Sequence, residues 1–328
     1  MAVAPAEADH HACGSLPPDF SNFLSVLPND TSMQLISSAQ LEPHPGHCTS
    51  FEIVRGSLGG SRFLILCDHA TNRLPPEYGT LGLDEGQLER HIAYDIGALG
   101  VALEMGRRLQ STVISSGFSR LLIDPNRGED DPTLIMQISD GALVPGNARV
   151  DEAERYKRIS RFFAPYHAAI EDEIHGMLRH SAIPVVVSIH SFTENWRGVP
   201  RKWHGAVLWD KDPRLALPLL RELRERTGLV IGDNEPYTGH LRNDSIFRHA
   251  TVRGLPNVLV EIRQDLIRDA KGQREWAEIL SGCLAAILAD PAQGHLSGMH
   301  YFGSQSDIEV EHSKTRKPHG RNGSEDRD

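Results

Sequence analysis

A series of short, nearly continuous apolar runs, spaced by longer amphipathic stretches, constrains this 328-residue chain more than any other feature. Phe63–Cys67, Pro184–His190 and Val258–Arg263 are rich in Val, Ile and Leu and lack the alternation of a strand with one wet face. Such runs suit strands covered on both faces. Thr112–Ser115, Arg120–Ile123, Ala206–Trp209 and Leu229–Ile231 complete the strand candidates. Between them, Glu85–Leu109, Glu152–His180, Pro213–Thr227 and Arg274–Ala289 read as helices. The first starts behind Asp84 as N-cap, with Gln87 three residues on; the second carries the i,i+4 pair Glu154 and Arg158. Strands alternating with helices of this length predict an α/β fold: a single domain with a central mixed, mainly parallel sheet flanked by helices. The pattern spans residues 49–292. Residues 1–48 have no steady period and read as an irregular N-terminal extension. Residues 293–328 turn to Gly, Ser, His and mixed charge, the composition of a disordered tail.

Composition narrows the partners. A formal net charge of −10 speaks against nucleic acid and anionic membranes. It leaves room for a small acidic ligand, because a local Arg cluster binds an anion on an acidic protein. No apolar run has the length to cross a bilayer, and residues 1–11 lack the basic and apolar segments of a secretory signal. Cys13, Cys48, Cys67 and Cys283 are scattered, so neither disulfides nor a thiolate zinc site is expected, and a cytoplasmic setting is. Any metal falls to His and carboxylates. Gly56–Gly60 precedes a strand and reads as a turn rather than a dinucleotide fingerprint, and neither a P-loop nor a nucleophile elbow occurs.

In parallel sheets, ligand sites gather at the carboxyl ends of strands. Asp68 and His69, Asp124 to Arg127, His190 and Glu261 all stand at or near such ends. His69 or His190 alone reads as a core histidine bonded to a carbonyl. Together at two strand ends they read as metal ligands, since two imidazoles and a carboxylate form an open hydrolytic zinc site. Asp95, placed inside the first helix on its apolar side, is either that carboxylate or an acid paired with His91 or an Arg. Asp68 points away from its neighbour and reads as a group behind the ligands. Glu261 is either a general base with a raised pKa or the salt-bridge partner of Arg263. Arg120 either pairs with Asp124 or polarises a carbonyl oxygen. Asn126 and Arg127 supply the donors of a carboxylate clamp. The loops Thr193–His204 and Gly232–Gly239 are candidates to cover the site, with Tyr237 and His240 as contacts.

These segments carry a resemblance. Cys67-Asp-His-Ala-Thr-Asn-Arg-Leu-Pro75, His91-Ile-Ala-Tyr-Asp-Ile-Gly97, Ser119–Arg127, Ser188-Ile-His-Ser-Phe192, Gly232-Asp-Asn-Glu-Pro-Tyr237 and Glu261-Ile-Arg-Gln-Asp265 are similar, in order, to the N-formylglutamate amidohydrolase family. The resemblance covers about residues 50–290. It implies a zinc-dependent amide hydrolase with a fold akin to the zinc carboxypeptidases and aspartoacylase-like deacylases. It also implies zinc on His69 and His190, proton handling by Glu261, and a substrate carboxylate on Asp124, Asn126 and Arg127. The relatives' His-x-x-Glu ligand pair is absent, because Asn72 stands where the Glu would be; Asp95 is the substitute.

The expected activity is hydrolysis of an N-formyl or other N-acyl acidic amino acid, a step of amino-acid metabolism, with one zinc on His69, His190 and Asp95. Glu261 and Arg120 are the catalytic residues, and Asn126, Arg127, Asp124 and Tyr237 bind substrate. The alternatives are a deacylase for larger acyl or peptide-like amides, and a binder of small carboxylates without catalysis. The sequence leaves the oligomeric state open.

Overall fold

The computed structural model describes residues 48–56, 61–180 and 182–307. Residues 1–47 of the N-terminal extension and residues 308–328 of the expected tail lie outside them. Residues up to 307 pack against the protein: Leu296 and Ser304 are buried, and Lys211 Nζ donates to the Ser304 carbonyl at 2.9 Å.

The strands are β1 (Phe51–Val54), β2 (Phe63–Cys67), β3 (Thr112–Ser116), β4 (Val185–Phe192), β5 (Gly205–Leu208), β6 (Ile231–Asp233) and β7 (Asn257–Arg263). They form one seven-stranded sheet in the order β1-β3-β2-β4-β7-β5-β6. The central strands β3, β2, β4 and β7 are parallel. At the edges β1 runs antiparallel to β3, and the parallel pair β5-β6 joins β7 in the opposite sense. The mainly parallel α/β sheet expected from the apolar runs is therefore present, with β1 as an added edge strand.

Alternate residues of these strands feed two cores. Phe63, Ile65, Val187, Val258 and Val260 pack under α2 (Ala98–Leu109), α5 (Pro213–Thr227) and α7 (Ala270–Ala289). Leu64, Leu66, Ile114, Val186 and Leu259 face Phe162, Phe163, Tyr166 and Ile170 on the opposite side. Those residues belong to a continuous helical stretch of α3 (Glu152–Arg158), a π turn (Ile159–Phe163) and α4 (Ala164–Arg179). Coverage on both faces explains why the strands lack polar alternation.

Two expected elements differ. Glu85–Leu109 is not one helix: it is a short α1 (Glu85–Leu88), an irregular stretch, then α2. Gly97 breaks it, with φ of +82° and its Cα so close to Ile267 that a Cβ would stand 2.1 Å from that carbonyl oxygen. Only glycine meets both demands. Asp84 precedes α1 in extended conformation, without a side-chain cap bond. Arg120–Ile123 is not a strand but a buried turn. Its backbone is satisfied by side chains instead of a ladder. Asn147 Nδ2 donates to the Leu121 carbonyl at 2.8 Å, and the buried Arg158 guanidinium donates to the Leu122 carbonyl at 2.8 Å. Buried backbone needs partners, and here they come from outside the sheet.

Candidate metal centre and active site

The carboxyl ends of β2 and β4 bring His69 and His190 together, with ring centroids 4.8 Å apart and planes at 85°. Asp95 reaches the same point from the irregular stretch before α2, not from a helix as expected. Its position is fixed by its own backbone, whose N–H donates to the His69 carbonyl at 2.9 Å. Asp95 Oδ2 lies 2.9 Å from His190 Nδ1 and 3.3 Å from His69 Nδ1, and accepts the Ser191 N–H at 3.2 Å. Ligand atoms of the three residues lie within 4.8 Å of one another, and all three residues are buried. His91, the other expected partner of Asp95, faces Asp140 at 3.3 Å instead.

Each histidine is backed by a second, fully buried carboxylate. His69 Nε2 lies 2.7 Å from Asp124 Oδ1, and His190 Nε2 lies 2.9 Å from Asp68 Oδ2. Asp68 also accepts from the hydroxyls of Tyr166 at 2.8 Å, Ser188 at 2.7 Å and Ser245. Burial alone would lift a carboxyl's pKa. The bonds from His190 and Ser245, and the positive charge of the histidines, hold Asp68 well below its usual range. Asp124 is likewise held low against its burial, chiefly by the Arg120 guanidinium. Between two carboxylates, His190 has its pKa raised well above the ordinary value, although burial opposes this.

The pattern bears on what the cluster can hold. Arg120 Nη1 approaches His69 Nδ1 at 3.1 Å. Arginine has only donors, so Nδ1 carries the lone pair and the ring proton sits on Nε2, toward Asp124. The 3.3 Å contact between His69 Nδ1 and Asp95 Oδ2 then joins two acceptors. A divalent cation held by these two groups, in place of the Arg120 contact to Nδ1, would satisfy both. Two imidazoles, one carboxylate and a carboxylate behind each ring make a donor set that fits a divalent metal, zinc foremost.

Asp124 was expected to grip substrate. The structure places it behind His69 with 0% exposure, where it also accepts from Arg120 Nη2 at 2.7 Å and the Asn126 N–H at 2.9 Å. Its oxygens are occupied and no substrate reaches them. Asn126 and Arg127 do line the cavity, which has a volume of about 560 Å³. Asn126 is oriented by the Ser245 N–H, donated to its Oδ1 at 3.0 Å, which leaves its amide donors for a ligand. Arg127 spends Nε on Thr133 and Nη1 on the Asn126 carbonyl. Among the described residues it forms no ion pair with a carboxylate.

Glu261 stands in β7, directly across from His190 in the register. Its supposed partner Arg263 is engaged with Asp265 at 2.7 Å. Glu261 Oε2 is buried and has no hydrogen-bond partner among the described residues. Burial pushes its pKa up to about 8; His190, Arg120 and Arg201 act in the opposite direction and Asp95 in the same. Arg120, partly buried, spans Asp124 and Asp95 while lining the cavity, so its pairing with Asp124 and its exposure to a ligand coexist.

The two loops suspected as covers both contribute to the wall: Thr193 and Trp196 from one, Pro236 and Tyr237 from the other, with His240 beyond. The Tyr237 hydroxyl accepts from Arg201 Nη2 at 2.9 Å, and the Arg201 guanidinium lies within 5.4 Å of the Phe192, Trp196 and Tyr237 ring centres. Arg201 escaped sequence reading because its aromatic partners are dispersed along the chain. Ser245 and Asp244 escaped because α6 (Ser245–His249) is too short to show a helical period.

A mainly parallel α/β sheet carries at its strand ends a buried His-Asp-His group, the buried carboxyl of Glu261 and the donors of Asn126 and Arg127, all lining one cavity. The family model for N-formylglutamate amidohydrolase matches residues 61–268, and the chain belongs to that family. A crystal structure of a gene product from Agrobacterium tumefaciens is similar at 33% identity and a TM-score of 0.70, over 74% of this chain and 95% of that one. N-formylglutamate amidohydrolase from Ralstonia eutropha shares the fold at 20% identity and a TM-score of 0.54, over 73% and 97% of the two chains. A search of the curated proteins finds no match. No helix among the described residues is long and apolar enough to cross a membrane.

Proposed function

We propose that this protein hydrolyses the amide bond of an N-acyl amino acid, with N-formylglutamate, the substrate in the family's name, first in line. The observation that carries the reading is the His69–Asp95–His190 centre lying in one cavity with Glu261 and the Asn126–Arg127 clamp. His69 Nδ1, His190 Nδ1 and Asp95 Oδ2 would hold one divalent metal, zinc by donor chemistry. Such an ion, when bound, acts as a Lewis acid and lowers the pKa of water.

The chain's own groups account for the rest. Asn126 and Arg127 hold the substrate carboxylate by charge-assisted bonds and so fix where the amide lies. Arg120 faces the amide carbonyl oxygen and offsets the charge that develops there. Glu261 accepts a proton from the attacking water on its unpartnered Oε2 and delivers it to the departing nitrogen. Formate, or a larger carboxylic acid, and the free amino acid leave. Tyr237, steadied by Arg201, forms part of the cavity wall over the substrate.

Formate release from a panel of N-formyl amino acids, before and after chelation, tests the reading. Release that stops with chelator and returns with zinc is expected. No release from any member by metal-loaded protein would sink it. An N-acetyl series run alongside separates a formyl-specific enzyme from a broader deacylase.

A further inference from the structure

Three arginines are buried among the described residues: Arg158, Arg201 and Arg214. Arg158 pairs with Glu154 at 2.8 Å and Arg214 with Asp212 at 2.6 Å. Arg201 forms no ion pair with a carboxylate of the described residues. A buried charge without a counter-charge is costly, so one that persists calls for a compensating group. Arg201 stands just ahead of β5, at the carboxyl end of β7, where its carbonyl accepts from Arg263 Nη1 at 3.1 Å. Its guanidinium lies 5.4 Å from the ring centres of Phe192 and Trp196 and 5.1 Å from that of Tyr237. These rings come from the end of β4, from a short hairpin that pairs Trp196 with Val199, and from the loop after β6. Their faces lower the cost of burying the cation but do not neutralise it.

Phe192, Trp196 and Tyr237 line the cavity that also holds Glu261, Asn126 and Arg127, so the missing counter-charge has a place to come from: a ligand. Tyr237 is the group through which a ligand would feel the cation. Its hydroxyl accepts from Arg201 Nη2 at 2.9 Å and makes no other hydrogen bond among the described residues, which leaves its own proton to donate. Burial lifts the phenol's pKa, Glu261 and Asp95 act in the same sense and Arg201 against them, and the proton is kept. A hydroxyl that receives a bond from a cation becomes a stronger donor, and an anion is its best acceptor. With one substrate carboxylate on Asn126 and Arg127, a second one is the anion that this arrangement suits.

We propose that the Tyr237 hydroxyl is the donor for the second carboxylate of an N-acyl dicarboxylic amino acid, and that Arg201 is its positioning residue. This rests on the amide-hydrolase reading above and deepens it. N-formylglutamate and N-formylglutamine differ only at the end of the side chain, a carboxylate in one and a neutral amide in the other. They are therefore the direct probes. Tyr237→Phe removes the hydroxyl and keeps the ring on which Arg201 packs. Arg201→Lys keeps a charge without the guanidinium fork, and Arg201→Gln removes the charge.

The experiment measures kcat and KM of the wild type and these three variants on both compounds. It also measures the affinity of Glu261→Gln for each compound, with and without Tyr237→Phe. The wild type is expected to prefer N-formylglutamate by about tenfold or more in kcat/KM, as for a hydrogen bond to a charged group. Tyr237→Phe should raise KM for N-formylglutamate about tenfold and leave N-formylglutamine nearly unchanged, so that the preference collapses. Arg201→Gln should lose the preference and Arg201→Lys keep part of it, a split that a merely structural role does not produce. A wild type without preference, or a preference unchanged in Tyr237→Phe, overturns the assignment while leaving the hydrolase reading intact. An equal loss on both compounds overturns it too, placing the hydroxyl at the reacting carbonyl instead. Full preference in both Arg201 variants removes Arg201 from the assignment. Tighter binding of N-formylglutamate to Glu261→Gln, lost with Tyr237→Phe, but without formate release by the wild type, supports the carboxylate site and removes the reaction. Binding of neither compound overturns both.

Discussion

The molecule contains two buried histidine pairs of nearly the same spacing and opposite electrostatic character. His69 and His190 have ring centres 4.8 Å apart; His167 and His249 have theirs 5.0 Å apart, nearly stacked. The first pair is set among three carboxylates, Asp68, Asp95 and Asp124, and the ring nitrogens face oxygens. The second pair bonds to itself, His167 Nδ1 to His249 Nε2 at 2.8 Å, and the outer nitrogen of His249 has no partner among the described residues. Burial drives His249 down to about 3, and the neighbouring Arg248 and Arg253 add to the effect. Two close histidines therefore do not by themselves make a candidate metal centre. The carboxylates distinguish the first pair: one lies between the rings, where it could share a cation, and one behind each ring, where it fixes the proton on the far nitrogen.

The contrast can be broken most severely at the first pair. His190→Ala or Asp95→Ala removes a ligand and should abolish metal retention and lower kcat by about a thousandfold or more, as expected for losing several kcal/mol of charge stabilisation. His249→Gln, at the second pair, should leave metal content intact; formate release and elemental analysis of both proteins check this. Asp68→Asn takes away one backing carboxylate but no ligand. A drop of about 10–100-fold in metal affinity is expected, read by competition with a calibrated chelator. Unchanged affinity would mean that Asp68 serves only the fold.

The proposed substrate grip is separable from both pairs. Arg127→Ala should raise KM about tenfold or more with a smaller change in kcat, since hydrogen bonds to a charged group contribute about 1.5–3 kcal/mol.

The smallest effect concerns pH and the second pair. His167 and His249 are both held below their ordinary pKa, so the unfolded chain binds more protons than the folded one between about pH 3 and 6.5. Their contribution is fully present above about pH 6.5 and is lost as pH falls through that window. Asp244, raised to about 7, works the other way, its contribution being present at low pH and lost as pH rises. The Tm of His249→Gln should accordingly fall less steeply with acid than that of the wild type. Equal slopes in thermal melts from pH 7 to 4 would remove the histidine pair as the cause.

The sequence was most informative where one residue type carried one signal. The run Phe63–Cys67 and the helix Pro213–Thr227 form with the expected limits, because two-sided burial and a Pro start behind Asp212 mark them locally. His69, His190, Asp95, Glu261, Arg120, Asn126, Arg127 and Tyr237 all converge on one cavity. What stayed illegible depended on partners distant in the chain. The run Leu121–Ile123 has the composition of a strand, and nothing local says that Asn147 and Arg158 will take its carbonyls. Gly97 was visible, but its contact with Ile267, which ends the helix, was not. Asp124 shares a motif with Asn126 and Arg127, yet its side chain turns inward to His69, while theirs line the cavity. The edge strand β1 is half-buried and too short to announce itself.

The account stands on the first histidine pair, and metal stoichiometry measures it directly. Elemental analysis of zinc-loaded, desalted wild type, His190→Ala and His249→Gln should give about one, none and about one metal ion per chain. Metal retained by His190→Ala, or lost from His249→Gln, would place the ion elsewhere. A metal-free wild type would contradict the centre itself.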